Sequence, residues 1–93
     1  MANKVLEKVR AGVLEPWWCL SDYFVAHLAE QLTKLRDEGH GYSLRFKNAD
    51  EWKDYLTSLI DRLEAYDVDD VVKYADAQQA LHEFAAYLAD FWD

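Results

Sequence analysis

The residues of this chain best suited to chemistry are its three histidines, and one of them has a metal-binding spacing. His27 lies three residues before Glu30, which can place an imidazole and a carboxylate on one side of a helix. Di-iron helical bundles, however, use the order Glu-x-x-His and need two copies with further glutamates. His82 adjoins the apolar Leu81, which favours a partly buried, hydrogen-bonded side chain over a metal ligand. We therefore expect no metal site at these histidines.

An aspartate cluster late in the chain resembles the start of a calcium loop. Asp67 and Asp69 have the spacing that opens an EF-hand loop. Val72, however, stands where that loop needs glycine, and Gln78 stands where it needs a bidentate glutamate. A solvated cluster that caps the following helix explains these acids better.

Other signatures of catalysis are also missing from the sequence. It has no P-loop, dinucleotide fingerprint, nucleophile elbow or zinc motif. The single Cys19 excludes an internal disulfide, and beside two tryptophans it is expected to be an inert, packed thiol. The sequence therefore predicts a protein that is not an enzyme, with no catalytic residue, no metal and no cofactor.

The N-terminal residues and the longest apolar runs indicate the cellular compartment of the protein. The first ten residues interrupt their apolar side chains with charges, unlike a signal peptide. No apolar run approaches the roughly 20 residues that span a bilayer. Together with the lone thiol, these features predict a soluble, cytoplasmic protein that does not bind membranes.

Three glycines and one proline are too few breakers for a β-meander and suit helices joined by short loops. We predict one all-α domain over residues 1–93, a compact three- to four-helix bundle. A short helix over 4–11 should end at Gly12. The second helix should be capped by Ser21 or Asp22, or else begin at Pro16, and should end with Gly39 in the left-handed conformation.

The third predicted helix has the clearest start. Asn48 followed by Glu51 resembles a capping box. Apolar residues then recur at helical spacing in this helix and in the last one, which follows the aspartate cluster. The predicted core stripe of the third helix is Trp52, Leu56, Leu59, Leu63 and Tyr66. The predicted stripe of the last helix is Val71, Tyr74, Gln78, Leu81, Ala85, Leu88 and Trp92, widened by Phe84 and Phe91 so that the helix packs on more than one side.

Residues 42–47 alternate apolar and polar side chains, which predicts an extended segment. No partner strand is evident elsewhere in the chain. Either its apolar residues tuck beneath the helices, or it is an exposed edge that pairs with a second copy or another protein.

Charge is distributed unevenly along this acidic chain, whose net formal charge is −8. Residues 1–47 carry seven Lys or Arg against six Asp or Glu, whereas residues 48–93 carry three against twelve. A negative field repels phosphates and anionic lipids, so direct nucleic-acid binding is not expected. It favours a partner with a basic surface.

The candidate binding residues combine these acids with exposed aromatic rings. Four tryptophans are many for so small a core, and tryptophan often anchors interfaces; the alternative is that all four are core. The candidate partner-binding residues are Asp50, Asp54, Asp61, Glu64, Asp67, Asp69, Asp70, Asp76, Trp17 and Trp18.

Several motifs resemble a group of short proteins encoded by tailed phages and prophages. The group has a Trp-led amphipathic segment, a His-Gly-Tyr-Pro turn, a Glu-Glu-Trp helix start and a terminal Phe-Ala-x-Tyr helix that closes with Leu-Trp. The matching segments are Trp18 through Leu35, His40-Gly41-Tyr42, Glu51-Trp52 with Leu56 and Ile60, Phe84-Ala85-x-Tyr87, and Phe91-Trp92-Asp93. Ser43 stands where the group usually has Pro, Asp50 where it has Glu, and Phe91 where it has Leu.

The resemblance implies a phage or prophage origin and expression inside a bacterial host. The group has no generally assigned activity, so no functional residues are carried over. By analogy of size and charge, the chain resembles phage inhibitors of host defence, including anti-CRISPR proteins that occupy DNA-binding clefts. Its expected partner is then a basic surface of a host protein such as a nuclease. The alternative is a structural or assembly accessory protein that works as a homo-oligomer, such as a homodimer.

Overall fold

The computed structural model describes residues 2–92, with side chains described from residue 4 onward. It contains four α-helices: α1 (Ala2–Arg10), α2 (Leu20–Glu38), α3 (Ala49–Glu64) and α4 (Val71–Ala86). Short 3-10 helices cover Pro16–Cys19 and Leu88–Asp90, and no strand occurs within residues 2–92. The predicted all-α class and small helical bundle are confirmed. Met1 and Asp93, at the ends of the predicted 1–93 domain, lie outside the described residues.

Helix α3 is the centre of the bundle. Its predicted apolar stripe lies on one face, and α2 and α4 both pack against α3, while α1 packs against α2. Removing each large apolar side chain of this stripe from water stabilises the fold by roughly 1.5–3 kcal/mol. The buried residues of α3 are Trp52, Leu56, Leu59, Ile60 and Leu63. Ile60 lies outside the predicted stripe, and Tyr66, its last predicted member, lies beyond the end of the helix and is only partly buried.

The start of α3 is held by a variant of the predicted capping box. The Asn48 side chain accepts a hydrogen bond from the backbone N–H of Glu51 at 2.9 Å. The Glu51 carboxylate in turn accepts the N–H of Lys47 at 2.9 Å, one residue earlier than in the standard box. Both bonds satisfy N–H groups that the first turn of a helix leaves without partners.

An aromatic cluster closes the end of the bundle where α3 begins. The Trp52 ring lies 5.5 Å from Phe46 and 5.4 Å from Phe91, centroid to centroid. The guanidinium of Arg45 stacks on Tyr87, with its Cζ 3.6 Å from the ring centroid, and it forms an ion pair with Asp90. These contacts attach the C-terminal 3-10 helix to the loop before α3.

The extended conformation expected for residues 42–47 is wrong at its centre. The N–H of Phe46 donates to the carbonyl of Ser43 at 3.0 Å, and the Ser43 hydroxyl accepts the N–H of Arg45. The segment therefore turns, which exposes Leu44 almost completely (94%) and directs Phe46 onto the aromatic cluster. Leu44 and Phe46, which a strand would place on one face, therefore lie in different environments, one in solvent and the other against the core.

The two ends of α2 decide between the sequence alternatives. The 3-10 helix begins at Pro16 and runs directly into α2, so Trp17 and Trp18 lie in the first helical turn and neither Ser21 nor Asp22 is the cap. Gly39 is extended rather than left-handed, with φ of −72°. Its N–H donates to the carbonyl of Leu35, and a Cβ on Gly39 would lie only 2.4 Å from that oxygen. Close approach, not a positive φ, requires glycine here.

The stripe predicted as the core of α4 is mostly exposed. Val71, Gln78, Ala85, Leu88 and Trp92 lie at the surface, and Tyr74 is only partly covered. The fully buried residues of α4 are instead two alanines, at positions 77 and 80. Of the other predicted residues, Leu81, Phe84 and Phe91 are partly buried and pack against the core around α3.

Candidate interaction surfaces

The first candidate surface is the outward face of α3. Asp50, Asp54 and Asp61 follow one another at spacings of four and seven residues, which places them on one side of the helix. All three are exposed and lie opposite the buried stripe. Glu64 is also exposed, at the edge of this face. We call Asp50, Asp54, Asp61 and Glu64 the α3 acidic face.

Arginines do not neutralise this face. Each of the four arginines of the chain forms an ion pair with an acid elsewhere, and within residues 4–92 none is paired with the α3 acidic face. Arg36 comes nearest: its pKa is raised chiefly by its hydrogen bond with Asp37, and to a lesser degree by the charges of Asp61 and Glu64. The four pairs are Arg10–Glu30, Arg36–Asp37, Arg45–Asp90 and Arg62–Glu83.

The aspartates of the α3–α4 turn serve the fold. Asp67 accepts the N–H of Asp69 at 2.9 Å, which shapes the turn. Asp70 is the N-cap of α4, because its carboxylate accepts the N–H groups of Val72 and Lys73 at 3.1 Å. Its negative charge also stabilises the start of α4, because the positive end of the helix dipole lies there. Asp69 is an exposed member of the turn, so its carboxylate can face a partner.

The remaining predicted residues lie on other elements. Asp76 is exposed on α4. Trp17 and Trp18 meet edge to face at 5.8 Å in the 3-10 helix before α2, and they are 72% and 57% exposed. Trp92 is exposed as well, whereas Trp52 is buried. The ten predicted residues are therefore spread over α3, the turn, α4 and the start of α2, rather than forming one patch.

The second candidate surface is a groove between α2 and α4, which none of the ten predicted residues lines. One cavity of about 600 Å³ is lined by Leu20 and Phe24 from α2 and by Tyr74 from α4, among others. Another of about 630 Å³ is lined by Leu35 from α2 and by Trp92 beyond α4. We call this surface the α2–α4 groove. The exposed stripe of α4 was its only sequence signal, and it indicates an apolar face without saying whether the chain covers it.

The histidines were the first candidates for a metal site. Within residues 2–92 no three His, Cys, Asp or Glu side chains converge as metal ligands do. His27 is exposed and stacks on Tyr23 at 5.5 Å. His82, expected to be partly buried, is exposed on α4. Among the described residues, no helix combines the length and apolar character needed to cross a bilayer.

Comparison with family models, curated proteins and solved structures finds no match to this chain. The α3 acidic face and the α2–α4 groove are therefore the features on which a proposed function can be based.

Proposed function

We propose that this chain is a small, acidic, phage-type protein-interaction module that inhibits a host defence protein. Its α3 acidic face binds a basic site on the partner, such as the nucleic-acid cleft of a nuclease. The observation that carries the proposal is a row of exposed carboxylates without arginine partners within the described chain, in a protein that commits all four arginines to other acids.

The spacing of the carboxylates suits a site built for phosphates. With a rise of about 1.5 Å per residue, Asp50 and Asp54 are about 6 Å apart along the helix axis, and Asp54 and Asp61 about 10 Å. One strand of a nucleic-acid duplex places its charges about 3.4 Å apart along the duplex axis, so the two gaps correspond to about two and about three phosphate steps. Lys and Arg side chains in a nucleic-acid cleft can adapt to this spacing because both are long and flexible.

Two further features support the proposal. Trp17 and Trp18 are large exposed rings of the kind that anchor interfaces, so they offer an apolar contact at another part of the surface. The motif resemblance to phage-encoded proteins favours a bacterial host protein as the partner and the host cytoplasm as the location.

The test is affinity capture from host lysate at low and high salt, followed by mass spectrometry. We expect a basic protein to be recovered at low salt and lost at high salt, because screening weakens exposed charge pairs. Failure to recover any partner at either salt concentration would contradict the proposal.

A matched pair of variants locates the binding surface. D54N/D61N removes two charges from the α3 acidic face and should reduce capture by at least about tenfold, a loss typical of central interface residues. E7Q/E15Q makes the same change in net charge on α1 and the loop after it, and capture should be retained. Equal losses in both variants would indicate non-specific attraction to net charge.

The second candidate function is a homo-oligomeric structural or assembly accessory. The exposed apolar α2–α4 groove favours it. One protein can both self-associate and inhibit a partner. Sedimentation equilibrium detects self-association, and affinity capture detects the partner.

A further inference from the structure

Helix α4 has two apolar faces, and the described chain covers one of them. Ala77 and Ala80 are buried in the bundle. The second face carries Tyr74 on α4 and continues beyond the helix with Leu88 and Trp92, and all three residues are exposed. An apolar stripe of this length at helical spacing is typical of a helix with a second packing partner.

The groove beside this face runs along α2. At one end, Leu20 and Phe24 lie opposite Tyr74 and Gln78; at the other, Leu35 lies opposite the segment after α4. The two helices therefore run in the same direction with the groove between them. Its two cavities, of about 630 and 600 Å³, are each large enough to take side chains of a partner.

The charge of the groove favours a second copy over a basic partner. Among the described residues, Lys34 and Glu38 are the only charged ones that line the two cavities, and their charges cancel. The α3 acidic face lies on the opposite side of the molecule, because the buried face of α3 is the one that meets α2 and α4. Two copies with a charge of −8 each can thus meet here with little repulsion, whereas a basic protein is attracted to the other side.

The large side chains in and around the groove expose an area comparable with the apolar part of a standard interface. Five of them are between about two-fifths and two-thirds exposed: Leu20, Phe24, Tyr74, Leu88 and Trp92. With about 200 Å² for a fully exposed large side chain, they expose on the order of 500 Å² in total, part of it inside the groove and part beside it. A standard interface covers about 800 Å² on each partner, of which roughly 60% is apolar, so about 500 Å².

We propose that the α2–α4 groove is the self-complementary interface of a symmetric homodimer of this chain. A two-fold axis lets each copy fill the other's groove with the same side chains, which is the commonest arrangement of soluble homo-oligomers. The two acidic faces then point away from each other and can bind basic sites independently. This inference does not depend on the proposed function.

Sedimentation equilibrium from micromolar to millimolar concentration tests the dimer. The unaltered chain should dimerise, and Leu20→Glu or Leu88→Glu should each weaken dimerisation by at least about tenfold. Both leucines are 61% exposed, so neither change should unfold the protein, and far-UV circular dichroism checks this. The matched control is Leu44→Glu, which adds the same charge at a 94% exposed leucine outside the groove and should leave the dimer intact.

Three results would overturn the proposal. They are an unaltered chain that stays monomeric up to millimolar concentration, groove variants that still dimerise normally, and a Leu44→Glu variant that dissociates as much as they do. Capture of a foreign helix in the groove of a monomeric chain would count against it equally. High salt should preserve or strengthen the dimer while it weakens capture by the acidic face, so failure of one proposal is distinguishable from failure of the other.

Discussion

Glu83 links α4 to α3 through a small network of partly buried side-chain hydrogen bonds. Its carboxylate accepts two hydrogen bonds from the Arg62 guanidinium, at 2.7 and 3.3 Å, and one from the Tyr55 hydroxyl at 3.0 Å. The hydrogen bond from Arg62 is the main reason that the pKa of Glu83 lies below its usual range. Burial raises the pKa of Tyr55, and its hydrogen bond to Glu83 adds to this. These hydrogen bonds join α4 to α3 beside the packing of Ala80, Leu81 and Phe84 against the core.

Glu83→Gln should lower the free energy of unfolding by about 1–2 kcal/mol, because the amide loses a charge-assisted bidentate pair that is about three-quarters buried. Urea denaturation at neutral pH measures this. Glu7→Gln, on the exposed side of α1, is the matched control and should change stability by less than about 0.5 kcal/mol. Equal effects would mean that the network contributes nothing beyond net charge.

The same carboxylate predicts part of the acid sensitivity of the fold. Because the pKa of Glu83 is lower in the folded state, its stabilisation is fully present above the ordinary glutamate pKa of about 4.3 and is lost as the pH falls through the lower folded value. When the pH is lowered from 7 to below the ordinary glutamate pKa, the free energy of unfolding should therefore fall less for Glu83→Gln than for the unaltered chain. An identical loss in both proteins, measured by urea denaturation, would contradict this.

Helix boundaries in this chain depend on short-range contacts of two kinds. The N-termini of α3 and α4 are capped by Asn48 and Asp70, whose side chains accept backbone N–H groups. The C-terminus of α2 depends instead on the absence of a side chain at Gly39, which lets its N–H reach the carbonyl of Leu35. Gly41, two residues later, has open space around it.

These two glycines form a matched test. Gly39→Ala should destabilise the fold by about 1–3 kcal/mol, because the new Cβ would meet the Leu35 carbonyl at 2.4 Å and the backbone must shift. Gly41→Ala should fall within about 0.5 kcal/mol of the unaltered chain. Thermal or urea unfolding of both variants measures the difference. A Gly39→Ala variant as stable as Gly41→Ala would show that the loop relaxes freely.

Across the whole molecule, packing is concentrated around α3 and thins towards α4. The molecule measures 42 × 29 × 18 Å, and its shortest dimension corresponds to about two helix diameters. Its radius of gyration of 13.8 Å exceeds the roughly 12 Å expected for a compact domain of this length. The open α2–α4 groove accounts for part of this flattened shape.

Amide hydrogen exchange should reflect this gradient. In dilute solution, where the chain is monomeric, amides of α4 should exchange through partial openings that cost less free energy than global unfolding, whereas those of α3 should require global unfolding. The reason is that α4 buries two alanines fully, while α3 buries five large side chains. Equal protection of both helices would contradict the prediction, and protection of α4 that rises with protein concentration would agree with the homodimer.

Local pattern alone determined the helical class, the start of α3 and its buried stripe, because these follow from hydrogen bonds and periodicity within a few residues. It also placed Asp50, Asp54 and Asp61 on an exposed face, since the opposite face had to be core. Tertiary packing alone decided which apolar side of α4 is covered, which tryptophans are exposed, and that the acids and the Trp17–Trp18 pair lie on different elements. Periodicity identifies an apolar face but not its neighbour, so it did not show that Ala77 and Ala80 are the fully buried residues of α4.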